Sequence, residues 1–328
     1  MTYATGSPIL AADYNAFVTS ANNIDEVFSD THSNATTVAT FADYGYGFTS
    51  PTDVSVGQAI TAAQWATLFN NIRNVGTHQG TTTVPPLPAS NPVTGNPIVA
   101  YAGMSTLITT LRDPTNRFKL AAGQTAFTSS NSTGTSQPWT NTLTYTFTIN
   151  LGTWNQARYF FNSGGWVGCS ATHVTGGAGS ADEEWNLFLS SLGQIQIRAK
   201  DTTASGSRTN AISTGGFWGT TGNPLPVNPT AYFEVYRNLY GGGGVYTNSS
   251  VSLRVRLSGT PPAAAAGIME FQLVLTQTDS TAPTQPKVQN TTITMLETHS
   301  AGALPFLSGG GGPGPALVTI TPGTFTLA

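Results

Sequence analysis

Charge is scarce in this chain. Asp, Glu, Lys and Arg make up 8% of its 328 residues, against roughly 25% in an average soluble domain. Thr, Ser, Asn and Gly take their place, so hydroxyls and amides rather than ions must hydrate the surface. Few ion pairs can form, and stability and assembly are expected to depend little on salt. A net charge of -3 gives little self-repulsion, which favours association. The few charges are unevenly spread. Up to Leu111 six acids (Asp13, Asp25, Glu26, Asp30, Asp43 and Asp53) stand against one base, Arg73. From Arg112 onward there are eleven bases and nine acids. Neither part is basic enough to hold a phosphate backbone, so no nucleic acid partner is expected.

Cysteine is nearly absent. Cys169 is alone, which excludes an intrachain disulfide, and its apolar surroundings predict a buried, inert thiol. No run of 18 apolar residues occurs, so no membrane insertion is expected. The opening "MTYATGSPIL" has no positive n-region and no apolar h-region. It therefore reads as lacking a signal peptide, with synthesis in a cytoplasm.

Internal similarity is present at the front. "ILAADYNAFVTSANNI" from Ile9 matches "ITAAQWATLFNNIRNV" from Ile60 at an offset of 51 residues. Ile9 aligns with Ile60, Tyr14 with Trp65, Phe17 with Leu68, and Ile24 with Val75. Tyr14, Phe17, Val18 and Ala21 follow the i, i+3, i+4, i+7 spacing of one helix face, and Trp65, Leu68, Phe69 and Ile72 repeat it. Thr61 and Gln64 read as a capping box. A third helix is expected over Ala102 to Leu111, with Leu107, Ile108 and Leu111 inward, stopped by Pro114. Helices this short need a packing partner. Tyr14, Phe17, Trp65 and Leu68 are the candidate docking or packing face; the plainer alternative is that they pair with each other.

From about Phe118 the pattern changes to strands. "TLTYTFTI" alternates strictly, with Leu143, Tyr145, Phe147 and Ile149 on one side and threonines between them. "VSLRVRL" does the same and places Arg254 and Arg256 on the opposite face. "GIMEFQLVLTQ", "NTTITML" and "QIQIRAK" are further strands. One helix interrupts them. In "GSADEEWNLFLSSLG", Trp185, Phe188, Leu189 and Leu192 share a face, Ser180 and Glu183 form a capping box, and Gly193 stops the helix. "ARYFFNSGGWVGCS" reads as a hairpin corner. The expected fold class is mainly β: an antiparallel β-sandwich or jelly-roll-like domain with one inserted helix over 118–328, preceded by a small helical, loop-rich region over 1–117.

Chemistry has little to stand on. "NSGG" lacks the Gly-Lys-Ser/Thr of a phosphate cradle, and the runs Gly241 to Gly244 and Gly309 to Gly312 carry no lysine. They read as loop tips or links. The acidic cluster Asp182 to Glu184 could serve a glycosidase, but opening a helix already accounts for it. His32, His78, His173 and His299 are scattered without metal-ligand spacing. No Gly-x-Ser-x-Gly occurs. Trp139, Trp154, Trp166 and Trp218 lie in or near the strands. They fill a core if buried and stack on sugars if exposed, and Trp218 is the one expected to be partly exposed. No catalytic, metal or cofactor-binding residue is assigned, and no cofactor is expected.

The segments "ARYFFNSGG" and "EEWNLFLSSLGQI", with "ITAAQWATLFNNI", "GYGFTSPTDVSVG" and "THQG" before them, resemble virion structural proteins of tailed phages, particularly phages of cyanobacteria. The resemblance runs from about Ile9 to Ile197. Where such proteins carry a Glu-Ile-Arg strand after the Gly-Gly, this chain has Trp166, Val167 and Gly168. The resemblance implies a non-enzymatic virion component, made in the host cytoplasm. The expected form is a tail, baseplate or neck fibre protein assembling as a homotrimer, with other virion proteins as partners. A capsid decoration protein and a receptor- or glycan-binding module, with host surface glycan as partner, are the alternatives. Depolymerase activity is a further rival, and it requires two carboxylates facing one groove.

Overall fold

A computed structural model of the chain describes residues 11–18, 53–79, 107, 110–111, 126–135, 139, 141–153, 157, 160–161, 164–173, 181–199, 201–208, 211–213, 215–217, 231–241, 248–257, 266–277, 291–300 and 319–327. Two compact units divide it. Unit 1 comprises Met1–Ala126, Arg158–Gly164 and Ser300–Pro313. Unit 2 comprises Phe127–Ala157, Gly165–His299 and Gly314–Ala328. In this division the chain re-enters unit 1 twice.

Unit 1 is helical. α1 (Ala11–Val18) and α2 (Ala62–Gln79) start at equivalent places of the 51-residue repeat. The capping box forms at α2: the Thr61 amide donates to Gln64 Oε1 at 2.8 Å, and the Gln64 amide donates to Thr61 Oγ1 at 3.2 Å. Trp65, Leu68, Phe69 and Ile72 are buried along one face of α2, as their spacing predicts. Leu107, Thr110 and Leu111 are helical, and both leucines are buried. Ahead of α2, Gly57 takes a positive φ of 87° in a turn closed by the Gln58 amide on the Ser55 carbonyl.

Unit 2 is an antiparallel, jelly-roll-like sandwich. Its strands are β1 (Ala126–Thr135), β2 (Thr142–Thr153), β3 (Trp166–Thr172), β4 (Ile195–Ile197), β5 (Thr202–Ala204), β6 (Ala211–Ser213), β7 (Phe233–Leu239), β8 (Ser250–Leu257), β9 (Ala266–Thr276), β10 (Thr291–Ser300), β11 (Thr319–Thr321) and β12 (Phe325–Leu327). One sheet has the order β1-β10-β3-β4-β5. The other has the order β11-β2-β9-β8-β7-β6, with β12 beside β11 on the same edge of β2. The first strands pair with late ones, β1 with β10 and β2 with β9, and the chain crosses between sheets at both ends. That wrapping is the jelly-roll pattern.

The core of the larger sheet is built of cross-strand rows. Phe147 lies opposite Phe271, which lies opposite Val255; Tyr145 lies opposite Leu273, which lies opposite Leu253. The Phe147 and Phe271 rings stack at 4.9 Å. Every one of these side chains is buried. β7 departs from strict alternation. Its register shifts between Glu234 and Tyr236, so Val235 and Tyr236 are buried in succession.

α3 (Ala181–Leu192) is the inserted helix, and it buries Trp185, Phe188, Leu189 and Leu192 as expected. Its capping residue Ser180 lies outside the described residues. Gly193, at φ 70°, ends it. The turn at 205–207 then satisfies the last carbonyls: the Gly206 amide donates to Leu192 O and the Ser207 amide to Ser191 O, both at 3.0 Å.

The hairpin expected at Asn162–Gly165 is corrected. Ala157, Phe160 and Phe161 are helical and buried. Gly164, at φ 87°, places its amide on the Phe161 carbonyl, and β3 follows. This is a helix-to-strand corner. An aromatic pair before Ser-Gly-Gly suits a helix end, where Ala157, Phe160 and Phe161 fall at i, i+3 and i+4, as well as it suits a strand.

Candidate functional site

The outward face of the seven-stranded sheet carries a row of threonines. On β2, Thr142, Thr144, Thr146 and Thr148 alternate with buried apolar residues and are half-exposed. Thr148 faces Thr321 on β11, and Thr144 faces Thr326 on β12. Both partners are exposed. The result is a row of hydroxyls and methyls that ends beside Glu270, opposite Thr148.

Four charges on this face form two pairs, and Arg237 on β7 is exposed beside them. Arg256 on β8 lies opposite Glu270 on β9 and binds it bidentately, with Nη2 to Oε2 at 2.8 Å. Tyr232 covers the pair, with the Arg256 guanidinium 4.8 Å from its ring centroid. Burial first, and then the Glu270 carboxylate, push the Tyr232 phenol above its ordinary range. Arg254 approaches Glu234 at 3.9 Å. Placing Arg254 and Arg256 together on one face was legible from "VSLRVRL"; Tyr232, Glu234 and Glu270 were not, because only strand register shows what lies opposite an arginine.

A second cluster joins α3 to the strands. The Arg208 guanidinium stacks 4.5 Å from the Phe188 ring centroid and 5.2 Å from that of Tyr240. Its Nη1 donates to Ser191 Oγ at 3.0 Å and its Nη2 to the Tyr240 carbonyl. Tyr240 in turn donates its hydroxyl to Glu184. Nearby, Trp185 Nε1 donates to Gln277 Oε1 at 2.9 Å, and Trp139 meets the Trp185 ring edge-on at 5.1 Å. The acidic cluster is therefore engaged in structure: Asp182 bonds the His173 Nε2 at 2.7 Å, and Glu184 holds Tyr240.

The four residues of the candidate docking or packing face are placed as follows. Tyr14, Trp65 and Leu68 are 0%, 2% and 0% exposed. Tyr14 and Trp65, equivalent positions of the repeat, meet edge to face with centroids 5.3 Å apart. The Tyr14 hydroxyl donates to the Gln64 carbonyl at 3.3 Å. Burial, and then the Asp53 carboxylate, push that phenol up to about 12. Asn15 ties α1 to Val54 by two reciprocal bonds of 2.9 Å each. Phe17 belongs to α1, and its side chain lies outside the described residues, as do Trp154, Trp218, His32 and the side chains of His78 and His299. Among the described residues no group of three His, Cys, Asp or Glu is placed to hold a metal.

Cys169 is fully buried in β3, and burial pushes its thiol well above the ordinary range. It is expected to resist a water-soluble thiol reagent in native protein and to react stoichiometrically in denaturant. Rapid labelling of native protein would contradict its placement.

No family model matches this chain, and neither a curated protein nor a solved structure matches it. Among the described residues no helix is long and apolar enough to cross a membrane.

Proposed function

We propose that the chain is a non-enzymatic structural component of a tailed-phage virion, a tail, baseplate or neck fibre protein that assembles as a homotrimer. The observation that carries the reading is the surface of the sandwich. A row of threonines over a buried aromatic core, with Arg256 tied to Glu270 and few other charges beside it, keeps its shape with little reliance on exposed charge. Such a part tolerates dilution and changing salt, which a particle exposed outside a host must do. The amino-terminal resemblance to virion proteins supports the same reading. In that setting the aromatic pair Tyr14–Trp65 builds unit 1 itself, and docking to the particle uses its outer surface.

Immunogold electron microscopy of purified particles, with quantitative protein staining of the same sample, tests the proposal. Low-copy label at the tail or neck is expected. Label over the whole head at high copy would make the protein a capsid decoration component instead. Absence of both label and band would remove the virion reading.

A further inference from the structure

A group of buried polar atoms lies on the inner face of the larger sheet, beside the seat of α3. Tyr236 and Asn238 point inward from β7, opposite Leu253 and Val251 of β8. The Tyr240 amide donates to the Ser249 carbonyl at 2.8 Å. That bond carries the register one pair further and puts Ser249 on the same inward face. Tyr236, Asn238 and Ser249 are 1%, 0% and 2% exposed. Among the described residues Asn238 Oδ1 and Ser249 Oγ have no hydrogen-bond partner. The Tyr236 hydroxyl accepts from Asn238 Nδ2 at 3.5 Å, the outer limit for such a bond. Burial pushes the Tyr236 phenol above its ordinary range, so it keeps its proton as a donor. Arg208 lies near enough to act on that phenol, but its Nη1 and Nη2 are committed to Ser191 Oγ and the Tyr240 carbonyl.

We propose that these three side chains hold one internal water, which accepts from the Tyr236 hydroxyl and donates to Asn238 Oδ1 and Ser249 Oγ. Buried polar groups in folded proteins are nearly always paired, and neighbouring groups that the protein leaves unpaired are where an internal water binds, with about three hydrogen bonds. Asn238 and Ser249 are diagonal neighbours across β7 and β8, a relation that sets residues about 7 Å apart. That spacing suits two bonds through one bridging oxygen. The chemistry of the three atoms selects the ligand. Tyr236 offers a proton, Asn238 Oδ1 accepts one, and the Ser249 hydroxyl does either. An anion would be repelled by the Asn238 carbonyl oxygen. A cation would meet the Tyr236 proton, with the Arg208 guanidinium nearby. The site also matters to packing. Tyr240, the next inward residue of this chain segment, meets Phe188 of α3 edge-on at 5.5 Å and bonds Glu184. A water fixing Tyr236, Asn238 and Ser249 thus steadies the strand ends on which the helix rests. The inference is independent of the proposed function.

A high-resolution crystal structure of the unaltered protein tests the proposal. One ordered water is expected at about 2.5–3.2 Å from Asn238 Oδ1, Ser249 Oγ and the Tyr236 hydroxyl. Crystals grown with bromide as the only halide are expected to show no anomalous signal at that point. Density empty of solvent there would overturn the water. So would a bromide peak, which would make the place an anion site. Magnetic relaxation dispersion of isotope-labelled water gives a second reading in solution, because it counts waters held longer than the molecule takes to tumble. The variant Asn238→Leu with Ser249→Ala removes two of the three bonds, and the count is expected to fall by one. An unchanged count, in a double variant whose circular dichroism matches the unaltered protein, would contradict the assignment. If the double variant fails to fold, the crystal structure of the unaltered protein decides alone.

Discussion

Trp65→Ala is expected to remove about 3–5 kcal/mol of folding stability from unit 1. The indole is 2% exposed and is the hinge of the helical packing. It meets Tyr14 of the equivalent repeat position edge to face, and Phe69 one turn further along α2 at 5.4 Å. Alanine would leave a cavity among aromatic rings that cannot collapse together, because α1 is also pinned through Asn15 to Val54. Trp65→Phe provides the control. The indole Nε1 is buried with no hydrogen-bond partner among the described residues, so phenylalanine removes an unsatisfied donor while keeping most of the ring. Its cost is expected at about 1 kcal/mol. Urea unfolding followed by circular dichroism measures both. An alanine variant as stable as the phenylalanine variant would mean that the aromatic pair does not build the unit. Folded alanine variant missing from particles would then point to docking.

Much of this architecture can be read from local chemistry. α3 carries its acidic first turn, its apolar face and its stop glycine within fifteen residues, and the helix appears where they put it. β2 alternates because one face is buried and the other half-exposed, and β8 and β9 keep that alternation over 254–257 and 268–273, while Ser250, Ser252 and Val274 are buried on the other face as well. β7 escapes a period-two reading for a physical reason: the bulge at Val235 adds a residue and turns two neighbours inward. β11 and β12 escape it because Pro322 and Gly323 break a nine-residue run into two pieces too short to show a period. The capping box at Thr61 is local and legible, whereas the Tyr232–Arg256–Glu270 cluster is not. Its members come from the residue before β7 and from two strands, and they meet only once the register of β8 against β9 is set. Tyr14 and Trp65 fall between these cases. The repeat marks them as equivalent, and it leaves open that equivalent rings would touch each other.

Gly168→Ala is expected to cost about 3 kcal/mol, near the upper end for overpacking a well-filled interior. Gly168 lies in the middle of β3, between β10 and β4, opposite Gln196. A Cβ there would stand 1.9 Å from the Ile195 carbonyl oxygen, where carbon–oxygen contacts normally keep about 3.3 Å. The obstacle is backbone, so no rotamer change relieves it. β4 would have to move, and it has little freedom. It follows directly on the Gly193 stop of α3, and the turn after it is closed by the Arg198 amide on the Asp201 carbonyl at 2.9 Å. Displacement of β4 therefore pulls on the end of α3 and on the 205–207 turn that satisfies its carbonyls. An arginine at 168 would bring a Cβ into the β4 backbone. Thr172→Ala, at an exposed position on the same strand, is the control and is expected to change stability by no more than about 0.5 kcal/mol. If Gly168→Ala unfolds at the same urea concentration as that control, β3 and β4 do not approach as closely as described, and the glycine is there for some other reason.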